Sequence, residues 1–157
     1  MAKRLGQRKY EDRTIAKALS ILERRIKTGS VYSSPEAVKS FLRLQTQGLQ
    51  HEVFAVMYLD AQYRLIAYEQ LFRGTLTHVT VYPREVVKQA LLRNAALVIL
   101  HHNHPSGRCL PSQSDRELTG HVREALNLVE VPVLDHVVTS DEGSFSMAQD
   151  CGRWTDG

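Results

Sequence analysis

A chain of 157 residues with 43% hydrophobic, 7% aromatic and 24% charged side chains has the makeup of one packed globular domain, which excludes two large domains, disorder, collagen and coiled coil. Twenty Lys and Arg against seventeen Asp and Glu leave a net +3, too little to identify a nucleic-acid binder by charge alone. Cys109 and Cys151 lack Cys-x-x-Cys spacing, no 18-residue apolar run occurs, and the basic start has no signal-peptide core, so the expected residence is the reduced cytoplasm.

The charge is unevenly placed. Residues 1–28 hold nine basic and three acidic side chains, a net +6, which leaves −3 on the remainder. Within them Ile15, Leu19, Leu22 and Ile26 recur at helical intervals, predicting an amphipathic helix that packs on the domain and stops near Gly29. Its basic residues are candidates for contact with nucleic acid or an acidic partner, and a solvated helix flank explains them equally well. Ser33-Ser34-Pro35-Glu36 reads as a helix start, with Glu36 closing a capping box to Ser33, and predicts a helix to about Leu44. The apolar run after Glu52 and a second one through Leu65, Ile66 and Ala67 predict a hairpin turning at Asp60-Ala61-Gln62. Val79-Thr80-Val81-Tyr82 predicts a third strand, and Pro83-Arg84-Glu85 opens a helix with Val86, Val87, Ala90 and Leu91 as its apolar face. A last long strand is expected over Val131–Val138, and the tail holds Phe145 and Trp154.

The strand between them carries the chemistry. Ala95–Leu100 is continuously apolar, as in a strand covered on both faces, and it runs into His101-His102-Asn103-His104 and a turn at Pro105-Ser106-Gly107. Side chains alternate along a strand, so His102 and His104 share one face while His101 and Asn103 point the other way. Two imidazoles on one face can share a metal, and a catalytic zinc takes three protein ligands and leaves a position for water. Asp115, in the first turn of the helix opened by Ser112, faces back toward the strand end and supplies the third. Taken alone, Ser112-x-x-Asp115 is an ordinary capping box and an isolated His-x-His is a solvated turn; their spacing together favours a site. Cys109 lies inside the same loop, where a thiolate that ligates or blocks the metal and a loop cysteine with no such role are both open, and His136 follows Asp135 on a later strand, where a satisfied core histidine, a partner to the site and a substitute ligand are open readings. The dispersed layout of HNH nucleases, the His-Glu-x-x-His helix, the Pro-Cys-x-x-Cys of zinc deaminases and a phosphate loop are all missing.

His102-x-His104, seven residues, Ser112, two residues, Asp115 resembles the JAMM, or MPN-plus, metalloprotease pattern. His104-Pro105-Ser106-Gly107, Phe72-Arg73-Gly74-Thr75, Pro83-Arg84-Glu85 and Leu134-Asp135-His136 resemble its RadC-like branch, over about residues 45–148. The resemblance implies an α/β fold with a mixed, curved sheet flanked by helices, of MPN/JAB type and cytidine deaminase-like architecture. It implies zinc held by His102, His104 and Asp115, Ser112 as donor to the bound water or developing oxyanion, and Glu52 as general base for hydrolysis of a peptide or isopeptide bond. Without the resemblance Glu52 is a solvated strand end, with Glu69 and Glu85 as competitors. The implied organisation is a basic arm over 1–28, the domain over 29–150 and a tail over 151–157, a short form without the helix-hairpin-helix region of longer relatives. The alternative is a DNA-repair or mobile-element accessory protein without peptidase activity.

Overall fold

The computed structural model describes residues 2–150, so Cys151, Trp154 and the rest of the tail 151–157 lie outside the described residues. Strand β1 (Val53–Leu59) pairs antiparallel with β2 (Leu65–Arg73) on one side and with β3 (Leu97–Asn103) on the other. Beyond β3 come β4 (Val133–Ser140), parallel to it, and β5 (Gly143–Ser146), antiparallel to β4, giving the order β2-β1-β3-β4-β5. A parallel neighbour requires a crossover, and α4 (Gln113–Asn127) supplies it between β3 and β4. The expected mixed α/β sheet flanked by helices is the architecture found.

Helices α1 (Ala2–Thr28) and α2 (Pro35–Thr46) cover one face, and α3 (Pro83–Leu92) with α4 covers the other. All seven residues of β1 are buried because both faces are covered. Phe54, Val56 and Tyr58 pack with Val86, Ala90, Val122 and Leu126 on the α3/α4 side, whereas Met57 and Leu59 pack with Ile26, Phe41 and Leu42 on the α1/α2 side. In β3, Val98 and Leu100 share the α3/α4 side and Ile99 the other. The same period of two, carried to the end of the sheet, assigns Glu52, His102 and His104 to the α3/α4 face and His101 and Asn103 to the opposite one.

Several expectations are corrected. The α1 face is packed only in its last third: Ile26 is fully buried and Leu19 and Leu22 lean on the core, but Ile15 is 38% exposed. Residues 6–17 are exposed, so that part of the helix, with Arg8, Lys9, Arg13 and Lys17, projects into solvent. The α2 cap is Ser34 without a side-chain cap bond, while Ser33 Oγ donates to the Ser30 carbonyl and Glu36 pairs with Lys39, so no capping box forms there. Pro35 does occupy the first turn, and the helix runs two residues past Leu44.

Val79–Tyr82 is not a strand. Its alternation is real, with Val79 and Val81 against the α3/α4 core and Thr80 and Tyr82 outward, but among the described residues no neighbouring strand lies beside it. The chain turns sharply after β2, crossing Gly74 so closely that a Cβ there would run into the His78 carbonyl. Leu91 is 54% exposed rather than part of the α3 apolar face. The described residues close with β5 and the single turn α5 (Met147–Asp150), gathered by the half-buried carboxylate of Asp135, which accepts from His136 N at 2.7 Å, Ser146 Oγ at 2.6 Å and Ala148 N at 3.0 Å.

Candidate metal centre

His102 lies in the buried end of β3 and His104 just beyond the strand, so the two rings leave the sheet on one face, 4.7 Å apart between centroids. Ser112 caps α4: its Oγ accepts from Asp115 N at 3.1 Å, and its own N–H donates to Asp115 Oδ2 at 2.7 Å. This capping box aims the Asp115 carboxylate at the strand end, so capping and ligand placement use the same geometry. His102 Nε2 lies 3.3 Å from Asp115 Oδ1, His104 Nε2 lies 3.4 Å from Asp115 Oδ2, and the two Nε2 atoms are 2.9 Å apart.

Donors held ~2.0–2.2 Å from one ion stand roughly 3–3.5 Å from each other, so two imidazoles and a carboxylate in this arrangement fit a zinc-type ion with a position left for water. Among the described residues, His102, His104 and Asp115 form the cluster whose ligand atoms converge, all within 4.8 Å.

The electrostatics are consistent with that use. Burial alone would raise the Asp115 carboxyl, but the imidazoles of His102 and His104 beside it and the Ser112 hydroxyl hold it well below the usual carboxylate range. Burial lowers His102 despite its contact with Asp115. His104, less buried, is raised on balance because Asp115 and the Arg108 carbonyl outweigh burial. Its Nδ1 is 2.9 Å from that carbonyl, which can only accept, so Nδ1 carries the proton and Nε2 is free to coordinate.

Glu52 enters the same cleft from the start of β1. The cleft has a volume of about 490 Å³ and is lined by Glu52, His102, His104, Asp115, Ser112 and the extended segment 77–81. Glu52 is 8% exposed, and burial raises its carboxyl above the ordinary value, with His104 opposing and Asp115 reinforcing. Its competitors lie elsewhere: Glu69 pairs with Arg93 and Glu85 with Lys88. Ser112 Oγ donates to Asp115 Oδ2 at 2.6 Å, so in this geometry its proton is directed at the carboxylate and not into the cleft. Cys109 is a half-buried free thiol outside the cluster.

Three residues that sequence reasoning left unassigned complete the site. Asn103, on the opposite face, accepts from Val53 N at 2.8 Å and donates to His51 O at 3.1 Å, clamping the peptide units on both sides of Glu52. Glu52 itself donates its N–H to Thr75 O at 2.7 Å and accepts from Gly74 N at 2.8 Å. His136, fully buried and held well below its ordinary pKa by burial, places Nε2 2.8 Å from His102 Nδ1 and Nδ1 2.6 Å from Thr119 Oγ1. A local signal existed for Asn103 alone, as the residue between two ligands; His136 and Thr119 reach the site through tertiary pairing.

A mixed α/β sheet with two histidines and a helix-borne carboxylate converging at the end of its central strand defines a JAB-type domain. The chain belongs to the RadC-like JAB domain family, whose model matches residues 32–153. It is 49% identical over 145 residues to a UPF0758 protein of Vibrio cholerae serotype O1, covering 92% of this chain and 91% of that protein. A UPF0758 protein of Leptothrix cholodnii is 59% identical over 119 residues, 76% of this chain and 54% of that one, and one of Ectopseudomonas mendocina is 48% identical over 147 residues, 92% and 66%. The chain thus spans nearly all of the Vibrio relative and about half of the Leptothrix one. No helix among the described residues is long and apolar enough to cross a membrane.

Proposed function

We propose that this protein is a zinc-dependent hydrolase of peptide or isopeptide bonds, working in the cytoplasm, with His102, His104 and Asp115 as metal ligands and Glu52 as general base. The observation that carries the reading is the convergence of three metal-ligating side chains with a desolvated carboxylate at one end of one cleft. A zinc ion bound there would act as a Lewis acid toward the scissile carbonyl and make water available as a nucleophile near neutral pH. Glu52, with its proton affinity raised by burial, is suited to take a proton from the attacking water and deliver it to the leaving nitrogen. Ser112 Oγ can serve the developing oxyanion only by turning its proton away from Asp115 Oδ2, a contribution worth ~2–4 kcal/mol at comparable sites.

The cleft wall favours an extended peptide. Among the described residues, the peptide groups of Val79, Thr80 and Val81 have no hydrogen-bond partner, and the segment borders the cleft beside His78. A substrate strand can pair there. The test is elemental analysis of purified protein: about one zinc per chain, lost in His102→Ala and Asp115→Ala, with Glu52→Gln keeping zinc and losing turnover in a peptide and isopeptide screen. Zinc retained in the ligand variants overturns the reading.

A second reading, an accessory protein that contacts nucleic acid or an acidic partner, draws on the projecting half of α1, where Lys9, Arg13 and Lys17 lie one turn apart on exposed positions. It predicts duplex-DNA binding that weakens steeply with salt and is lost on charge reversal of those three residues. Binding that does not change on reversal ends that reading.

A further inference from the structure

The two histidine ligands are held in different ways. His104 donates to a carbonyl, which fixes its tautomer outright. His102 instead faces another imidazole, and either ring of the His102–His136 pair can be the donor, so the pair alone leaves the His102 tautomer undecided. If His136 donated, His102 would carry its proton on Nε2, pointing it at Asp115 and His104 and blocking coordination.

The ambiguity is removed one residue further on. Thr119 Oγ1 lies 2.5 Å from the Asp115 carbonyl oxygen and 2.6 Å from His136 Nδ1. A carbonyl has no hydrogen to give, so a contact that short uses the single Thr119 hydroxyl proton. Thr119 must then accept from His136 Nδ1–H. The neutral His136 ring has one N–H, which leaves Nε2 as acceptor, and His102 Nδ1 must donate to it. The polarity runs without a gap from the backbone of the third ligand through Thr119 and His136 to the first ligand. His102, His136 and Thr119 are 2%, 0% and 0% exposed, so water does not compete for these bonds.

We infer that Thr119 and His136 are positioning residues that lock His102 in its Nδ1–H tautomer, so that Nε2 is always presented as a lone pair beside Asp115 and His104. The consequence for metal affinity rests on the reading of this cluster as a metal centre; the tautomer is a property of the protein with no ion bound. Outer partners of ligating histidines are typically worth roughly 10–100-fold in metal affinity.

The test uses the full chain with Zn²⁺ titrated against a chromophoric chelator, and ring nitrogen shifts read by NMR on the metal-free protein. Thr119→Val keeps the side-chain volume and removes the hydroxyl; Thr119→Ser keeps the hydroxyl and removes a methyl. The inference expects Val to weaken zinc binding roughly tenfold or more and Ser to restore it. A packing role predicts the reverse order, because Ser leaves the small void and Val does not. In the wild-type spectrum His102 and His136 should both carry the proton on Nδ1, and Thr119→Val should admit the other tautomer at His102. Equal zinc affinity of wild type and Thr119→Val, or His102 protonated on Nε2 in the wild type, overturns the inference. If wild type binds no zinc, the metal-centre reading fails while the nitrogen shifts still decide the tautomer.

Discussion

Four polar residues in a row, His101 to His104, end the central strand, and the two faces of the sheet use them differently. On the α1/α2 face every polar atom is tied to a permanent partner: His101 lies between Tyr68 Oη at 3.0 Å and Thr139 Oγ1 at 2.9 Å, and Asn103 holds two backbone groups of the β1 start. On the α3/α4 face the ring nitrogens away from the cleft are tied in the same way, but the Nε2 atoms of His102 and His104 meet only each other and Asp115. Burial does not separate the faces, since His101, His102 and Asn103 are all nearly inaccessible. The difference is whether a group's last lone pair has a partner that belongs to the fold. Where it has none, the nitrogen is left available to a ligand; where it has one, it is spent on the fold.

The largest effect separating the faces should come from metal. Zinc supplied at a hundredfold excess over its Kd should stabilise wild type by about 2.7 kcal/mol, a rise in Tm of roughly 5–10 °C for a chain of this size. His104→Ala should show no zinc-dependent rise in the same thermal melt. A rise that survives in His104→Ala would place the bound ion elsewhere. His101→Gln, one residue away from His102 but on the scaffold face, should keep the rise in full.

Next is the Asn103 clamp. Asn103→Ala leaves the buried Val53 N–H without an acceptor and should cost about 1–3 kcal/mol in denaturant unfolding. Asn103→Asp keeps that acceptor but replaces the donor to His51 O with a buried carboxylate facing that carbonyl, so it should destabilise as well. Both should hold zinc, because the Asn103 side chain lies on the face opposite the ligand rings, yet both should lower turnover by loosening Glu52. Unchanged hydrogen exchange at the Val53 amide in Asn103→Ala would show that the clamp is not formed in solution.

How much of this was readable in advance depends on how local the cause is. The His102-x-His104 pair, the Ser112 cap and Asp115 are fixed by strand alternation and one helix turn, so spacing exposes them. Glu52 needed the resemblance, because its partners arise only when β1 is laid against β3 with Phe54 opposite His102. His136 and Thr119 stay ambiguous in sequence for the same reason: 34 residues separate His136 from His102, and a parallel crossover brings them together. The Val79–Tyr82 alternation signalled one-sided burial correctly and pairing wrongly, since periodicity says which side is buried and nothing of what lies alongside. The turn at β5 and α5 is held by the carboxylates of Asp135 and Asp150 and carries no periodic signal at all.

A smaller effect concerns acid. Burial takes the His101 imidazole down to about 3, so the folded protein holds it neutral where the unfolded chain, near 6.5, binds a proton. The stability linked to this group is fully present above the unfolded value and is lost as pH falls from about 6.5 toward 3. His101→Gln should be less stable than wild type at pH 7, by about 1–2 kcal/mol for the altered hydrogen bonds, and the gap should close and then reverse as pH drops toward 4. His102 and His136 are lowered by burial as well and remain in the variant, so the wild-type acid slope should be reduced and not abolished. A gap that stays constant over that range would mean His101 does not contribute to acid sensitivity.

The smallest effect is the sharpest test of the active face. The Glu52 carboxyl is raised by burial, so the folded state binds its proton more tightly than the unfolded chain does. The stability linked to it is present below the ordinary value of 4.5 and lost as pH rises through the higher folded value. At neutral pH the protein without metal therefore carries a desolvated charge that costs stability, and Glu52→Gln should melt slightly above wild type. Below pH 4 both side chains are neutral and the difference should vanish. The reverse exchange on the scaffold face, Asn103→Asp, moves stability the other way at neutral pH, because it introduces a charge where the fold supplied a complete pair of bonds. A stabilised Glu52→Gln together with a destabilised Asn103→Asp, read in the same pH series of melts, would separate a residue held against the preference of the fold from one that serves it; Glu52→Gln melting below wild type at pH 7 would remove the argument that Glu52 is kept for chemistry.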